Sequence, residues 1–536
     1  ETAMSALSRR SMIAGAVLSV PFVPAMVYAD AHADEVQGGI TPQNHTKNYI
    51  NLLSNPQVKA DGSQDCTQAI NDAVRTLASA GGGALEIPAG KYRVSAPFIQ
   101  LLDRVEIFGH GKATQIIAHP GGDLVQKDED EAECVGVFHV GSYLVAGPEK
   151  PKPGDKGANQ WFSEAPMRFG VRDLVIRTNA DNVRLNRDDP YSRARHTPIM
   201  KGVAGVILHT YYANKNYRPE PEAVATLENL EIWDTDMGVA ILGLHDRAMK
   251  VHDIRVRMTW RQGFLVGKPI GHKAINVDGI GAADNKFSML DVSDANKCGR
   301  NYAGIEVYAS QCKFSQSTSW YNHRYSSGES LYQSRQEGKP HYAYAGKAGA
   351  GWYVAASRNM FIGCTAQENG GHGWVSDFER NIFDGCIGES SSYFDTVHGQ
   401  AQNNQAANWY ISNWSHECKF IAPRSDNPHK VGDGAVKAEK DVRAARWGFY
   451  FEQNCRDIVV VGGDAYDEHR KKHPDNYSWK VHFGPWRAGY MDVTINNFVM
   501  RYGMHDIEEE VKTNPKKYTD MQKYEMNKYL GTNVEF

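Results

Sequence analysis

The sequence predicts an all-β solenoid, a single chain wound into stacked coils of parallel strands. Two observations carry this: a Gly–apolar–any–apolar pattern recurring at multiples of about 22 residues, and alternation of period two inside each copy. The copies are Gly238-Val239-Ala240-Ile241, Gly304-Ile305-Glu306-Val307, Gly351-Trp352-Tyr353-Val354, Gly373-Trp374-Val375-Ser376 and Gly448-Phe449-Tyr450-Phe451. Their glycines lie 66, 47, 22 and 75 residues apart, which reads as three, two, one and three coils with small insertions. Phe361-Ile362-Gly363-Cys364 and Phe383-Asp384-Gly385-Cys386 repeat at 22 residues as well. A period in this range means one supersecondary unit stacked on its neighbours, with one strand face buried.

The N-terminal element is the most specific stretch. Asp61-Gly62-Ser63-Gln64-Asp65 reads as a turn, with Asp65 as helix N-cap. A helix follows from Thr67 to about Ala78, with Ala69, Ile70, Ala73, Val74 and Leu77 on one face. Gly81-Gly82-Gly83 stops it, and Ala84 to Val94 gives two short strands around a Pro/Gly turn. This ordered block, continuing to Phe108-Gly109-His110-Gly111, resembles the N-terminal cap of the pectate-lyase-like superfamily. The resemblance implies a single-stranded right-handed parallel β-helix whose N-terminal end, about residues 61–111, is plugged by the capping helix. It also implies activity on polysaccharides.

Composition bounds the partners. The net charge of −4 over 536 residues lacks the basic excess that nucleic-acid binding needs. Ser8-Arg9-Arg10-Ser11-Met12 before an interrupted apolar run from Ile13 to Val27 resembles a twin-arginine export signal. Residues 1–33 are therefore expected to be a signal peptide, 34–504 the solenoid and 505–536 a helical tail. The protein is expected outside the cytoplasm, periplasmic or extracellular, with no membrane span after cleavage and with homo-oligomers allowed. The eight cysteines contain no C-x-x-C pair, which argues against zinc and redox motifs. Cys364 and Cys386 are expected one coil apart, as stacked thiols or as a bridge.

Aligning the coils on their glycines stacks the residues that follow. Four positions on come Tyr308, Ala355, Asp377 and Glu452; six on, Ser310, Ser357 and Glu379; seven on, Gln311, Arg358 and Arg380. Asp377, Glu379, Arg380 and Arg358 are thus expected to cluster, carboxylates with a guanidinium able to shift their pKa values. His372 in Gly370-Gly371-His372-Gly373 resembles the Gly-His-Gly element of polygalacturonases, where the histidine supports catalytic carboxylates. That family's Arg-Ile-Lys is absent, and Asp234-Thr235-Asp236 only approaches its Asn-Thr-Asp. A second constellation is Trp320-Tyr321-Asn322-His323-Arg324-Tyr325, beside the insertion from Tyr325 to Gly351. Asp395 and His398 lie about one coil further on.

Polysaccharide β-elimination needs a group to neutralise a uronate carboxylate, a base for the C5 proton and a donor for the leaving oxygen. His323, Arg324, Asp377, Glu379, Arg380, His372, Asp395 and His398 are the catalytic candidates. Tyr308, Trp320, Tyr321, Tyr325 and Arg358 are the substrate-binding candidates. The leading reading is a polysaccharide lyase, followed by a glycoside hydrolase with a carboxylate pair, then a non-catalytic glycan-binding or adhesion protein. Calcium serves some lyases of this fold and is the one cofactor considered, although no acidic run has a recognisable ligand spacing. The site is expected on the outer face of the central coils between Tyr308 and His398.

Overall fold

A computed structural model describes residues 48–119, 134–140, 168–178, 200–209, 224–242, 249–267, 282–298, 300–322, 347–391, 406–427, 447–452, 455–467, 479–483, 493–496 and 499–501. The chain divides into two units, Glu1–Thr46 and Lys47–Phe536, and every described residue belongs to the second. The expected signal peptide and helical tail, and the candidates His323, Arg324, Tyr325, Asp395 and His398, lie outside the described residues.

The second unit is a right-handed parallel β-helix, as the sequence predicts. Each coil contributes to three parallel ladders. Face A is an 11-stranded sheet running from Ile99–Gln100 to Trp479–Phe483. Faces B and C together form a 22-stranded sheet. In the middle coils one long strand, such as Lys250–Arg257 or Lys286–Ser293, serves both B and C. Further on it splits in two, as in Lys313–Ser315 followed by Thr318–Trp320.

The bend between faces B and C has one physical cause. Asp173, Asn229, Asp253, Met289, Gln316, Gly363, Gly385, Ala422 and Gly462 stack on one another, each left-handed with φ between 46° and 65°. A single left-handed residue turns the strand without breaking the ladder, and Gly, Asn and Asp tolerate that conformation best.

Inside, identical side chains pile up coil on coil. Trp352, Trp374 and Trp409 from face A stack with centroids 4.9 and 5.2 Å apart. Phe314, Phe361, Phe383 and Phe420 from face B form a second stack at 4.8–5.0 Å. The two stacks meet edge to face at 5.6–5.7 Å, the geometry ring quadrupoles favour. Buried asparagines tie successive corners: Asn359 N–H donates to the Asn381 side chain, and Cys312 N–H to that of Asn359.

The capping helix spans Thr67–Ser79 and buries Ile70, Val74 and Leu77 against the first coils. Two local readings change. Cys66, not Asp65, is the N-cap, and the Asp65 carboxylate accepts the Thr67 N–H at 2.8 Å from one residue further out. Asp61–Asp65 is a strand paired with Gly90–Val94, because a polar rim strand can face water on one side while completing the ladder. The coil count also changes. Face A has two steps from Gly238 to Gly304, one from Gly304 to Gly351 and two from Gly373 to Gly448. Insertions about one period long had been counted as coils.

The true glycine column is Gly205, Gly238, Gly263, Gly304, Gly351, Gly373, Asn408 and Gly448. A Cβ on Gly238 would lie 2.2 Å from the Gly263 carbonyl oxygen and 2.4 Å from a Val256 methyl. All eight cysteines are thiols, with Cys364 and Cys386 stacked on adjacent coils.

Candidate active site

Face A alternates inward and outward residues, and its outward column carries chemistry. In register it reads Ala240, Leu265, Glu306, Tyr353, Val375, Tyr410 and Tyr450. The first two are apolar and buried. From Glu306 onward the face turns polar and aromatic, and Tyr308, Asp377, Ser412 and Glu452 continue it in the next turn of each coil.

Lys347 organises the upper part. Its Nζ donates to Glu306 Oε2 at 2.8 Å and to the Tyr308 hydroxyl at 2.6 Å. The Tyr308 hydroxyl in turn donates to Glu306 at 2.9 Å. Glu306 is fully buried and also accepts the Ala303 N–H, so it serves as a fixed counter-charge. The rings of Tyr302, Tyr308 and Tyr353 surround the ammonium at 5.8, 5.3 and 5.6 Å from their centroids, and such faces attract a cation. An ammonium has three donors. The third has no partner among the described residues.

The lower part centres on Asp377. Its carboxylate accepts from the Tyr353 hydroxyl and from Ser412 Oγ. Burial pushes the Asp377 carboxyl above the ordinary aspartate range, against the opposing pull of those two hydrogen bonds. Burial, then the charge of Asp377, holds the Tyr353 phenol well above its usual value, so it stays protonated. Tyr308 and Tyr353 lie on adjacent coils with ring centroids 5.8 Å apart. Beyond them Tyr410 stacks on Tyr450 at 5.1 Å, and the Tyr410 phenol is raised by burial and by Glu452. Trp414 is 63% exposed, and its N–H donates to the Ser412 hydroxyl that holds Asp377.

Tyr308 and Asp377 occupy the same position of their coils, four residues after Gly304 and Gly373. His372 lies beneath the site: its Nδ1 accepts the Ala407 N–H at 3.0 Å, and its ring packs 4.6 Å from Tyr410. Its ring thus packs against a tyrosine of the site. The expected cluster of Asp377 with Glu379, Arg380 and Arg358 forms only in part: Arg380 pairs with Glu379 at 3.7 Å and the Arg358 N–H donates to the Glu379 carbonyl at 3.4 Å, while Asp377 stands apart. Glu379, Arg380 and Arg358 occupy the turn from face A to face B, where Arg380 makes a bidentate pair with Glu417 at 2.9 and 3.1 Å. Two residues beyond Asp377 the chain has already rounded the corner, and none of the three bonds to Asp377. Trp320 and Tyr321 belong to face C and the turn after it; Trp320 donates to Asp291 at 2.6 Å.

Lys347, Glu306, Tyr353, Ser412 and Tyr410 were missed. Glu306 and Tyr353 stand two positions after the aligned glycines, an outward column present in the pattern and passed over. Lys347 is inside the insertion from Tyr325 to Gly351. Face C holds a further missed residue. Burial, then Asp426 and Glu368, push Glu389 up to about 7, with Arg424 opposing. Gln367, Glu389 and Asp426 stack in register there on consecutive coils. Among the described residues no group of three or more His, Cys, Asp or Glu could hold a metal ion, and no helix is long and apolar enough to cross a membrane.

No family model matches the chain, and no curated protein matches it in sequence. Solved structures do. The A-module of the mannuronan C-5 epimerase AlgE4 of Azotobacter vinelandii is 14% identical with a TM-score of 0.51, covering 85% of this chain and 99% of that one. The AlgE6 A-module of the same organism is 13% identical with a TM-score of 0.47, covering 85% and 100%. The tailspike protein of E. coli bacteriophage HK620, in complex with pentasaccharide, is 12% identical with a TM-score of 0.46, covering 84% and 67%. At such identity the likeness to the AlgE4 module is one of fold.

Proposed function

We propose that the protein is an exported polysaccharide lyase that cleaves a uronic-acid-containing glycan by β-elimination on face A. The observation that carries this reading is the pairing of Lys347 with Tyr308 one coil from Tyr353 with Asp377. It supplies one cation and two phenols, each phenol with its own proton partner. The third N–H of Lys347 takes the uronate carboxylate, which stabilises charge developing at C5. Tyr353 receives the C5 proton as its own passes to Asp377, whose raised pKa makes it a better acceptor than an ordinary aspartate. The C5–H electrons form the C4=C5 double bond, and the bond from C4 to the bridging oxygen breaks. Tyr308 protonates that oxygen and is refilled from Lys347. Solvent returns the Asp377 proton to Lys347. Export rests on the paired arginines at Arg9 and Arg10.

Glycoside hydrolysis is a second reading, and Glu389 favours it. A carboxyl raised to about 7 beside Asp426 on the next coil is the pattern of a general acid with its partner. The experiment is incubation of the protein with a panel of polyuronates. Ultraviolet absorbance of an unsaturated uronate, lost in Lys347→Gln and kept in Glu389→Gln, is the expected result. New reducing ends without that absorbance, abolished by Glu389→Gln, would move the assignment to hydrolysis. Solvent deuterium at C5 with unchanged chain length would move it to epimerisation, the reaction for which the Azotobacter modules are named.

A further inference from the structure

Face B carries a feature unrelated to the site on face A. Lys250, Lys286 and Lys313 are in direct register on three consecutive coils. All three are exposed, with inward-facing Val251, Phe287 and Phe314 beside them in the core. Coils of a parallel β-helix lie about 4.8 Å apart, so the three lysines leave the sheet in single file at that interval. Like charges directly opposite on neighbouring strands repel. None of the three makes an ion pair or a side-chain hydrogen bond with a described residue. Asp253, the nearest carboxylate on the Lys250 strand, is taken by Arg255 at 3.5 Å. The adjacent outward column on the same strands is His252, Ser288 and Ser315, with His252 Nδ1 2.8 Å from the Ser288 hydroxyl.

We propose that Lys250, Lys286 and Lys313 form a binding strip for a linear anionic polysaccharide, one acidic group to each lysine. A single file of cations matches a single-stranded polymer with one charge per sugar, whose repeat is comparable to one coil. The parallel column of hydroxyls and imidazole suits sugar hydroxyls. Duplex DNA carries a negative charge about every 1.7 Å of its axis, which a file at this spacing does not match. An anionic membrane would call for a broad basic patch, and the columns on either side are largely uncharged. The strip rests on the reading above only in taking the polymer to be a glycan. It lies on a different face from Lys347 and holds the chain without touching the reacting bond.

The test is affinity electrophoresis of the full chain through gels containing polygalacturonate, polymannuronate or neutral dextran. Parallel arms measure binding to duplex DNA and to phosphatidylserine vesicles. The protein is expected to be retarded by at least one polyuronate and not by dextran, with retardation falling as salt rises. K250Q/K286Q/K313Q should weaken that affinity at least about tenfold while keeping its melting temperature. K250R/K286R/K313R should keep the affinity. Lys347→Gln should bind the polymer through the strip while releasing no unsaturated product, so this proposal and the lyase reading fail separately. Unchanged retardation of the glutamine variant, no retardation of the unaltered protein by either polyuronate, or tighter binding to DNA or vesicles would each overturn it.

Discussion

Lys347 is the residue on which the proposed elimination turns, because its ammonium touches both Glu306 and the Tyr308 hydroxyl. Lys347→Gln keeps length and polarity and removes the charge. It should lower kcat/KM by about 10²- to 10³-fold, the usual loss when one electrostatic contact to the transition state goes. An unchanged polymer affinity alongside would show that the loss lies in the chemical step. Asp377→Asn should be as damaging, and in the unaltered protein the acidic limb of the pH profile of the proposed activity should lie above the ordinary aspartate range. Glu389 offers a separate test, of stability. Its pKa rises from 4.5 to about 7 on folding, so its contribution is fully present below 4.5 and lost as pH rises through 7. Glu389→Gln should therefore match the unaltered protein near pH 4 and exceed it in denaturant midpoint near pH 8. Equal midpoints at pH 8 would mean that Asp426 and Glu368 impose no strain there. These residues were hard to see in sequence. Tyr308 and Asp377 could be found because they follow aligned glycines, whereas Glu389 owes its character to neighbours 21 and 37 residues away.

At the scale of the coil, the glycine column explains why the repeat could be read at all. Gly205, Gly238 and Gly263 sit where a side chain from face C crosses the inside of the corner: Ile232, Val256 and Val292 respectively. Gly238→Ala would place a methyl against the next coil's carbonyl oxygen at 2.2 Å, so the backbone must shift. A destabilisation of about 1–3 kcal/mol is expected, read as a lowered denaturant midpoint without loss of strand content. A neutral result would show that the corner can open. Asn408 is the exception that hid a coil. It occupies the glycine position because Gly388 on face C vacates the space, and its side chain then bonds Ser391 N–H and Ser425 Oγ. A pattern keyed to glycine passes over such a coil. Gly263 does carry the glycine, and dividing the 66-residue spacing around it by 22 gives three coils where face A makes two steps, since inserted segments mimic the period. Strand identity and face were legible from alternation. Coil number was not, because loop length is free in a solenoid while stacking is not.

At the scale of the molecule, stability resides in columns that continue from coil to coil, so one coil should be removable if no column is broken. Residues 351–372 form an insertion-free coil of 22 residues, and most of its stacked positions have a like partner in the next. Trp352 stacks on Trp374, Phe361 on Phe383, Cys364 on Cys386, and Asn359 binds Asn381. The left-handed Gly363 and Gly385 match at φ of 58° and 59°. Excising 351–372 joins Ala350 to Gly373 and lets the coil of Gly304 meet the coil of Gly373 directly. The aromatic stacks then lose one layer each and close at the same spacing, since neighbours contribute nearest-neighbour terms only. The variant should therefore fold, with strand-dominated circular dichroism and a single cooperative melt. It should also be inactive, because Tyr353 leaves with the coil and Lys347 and Tyr308 now face Val375 and Asp377 without the relay between them. Removal of half as many residues, 351–361, should instead break every register and give an insoluble chain. Failure of the 22-residue excision to fold, with the protein otherwise well expressed, would show that long-range contacts beyond adjacent coils hold the solenoid together.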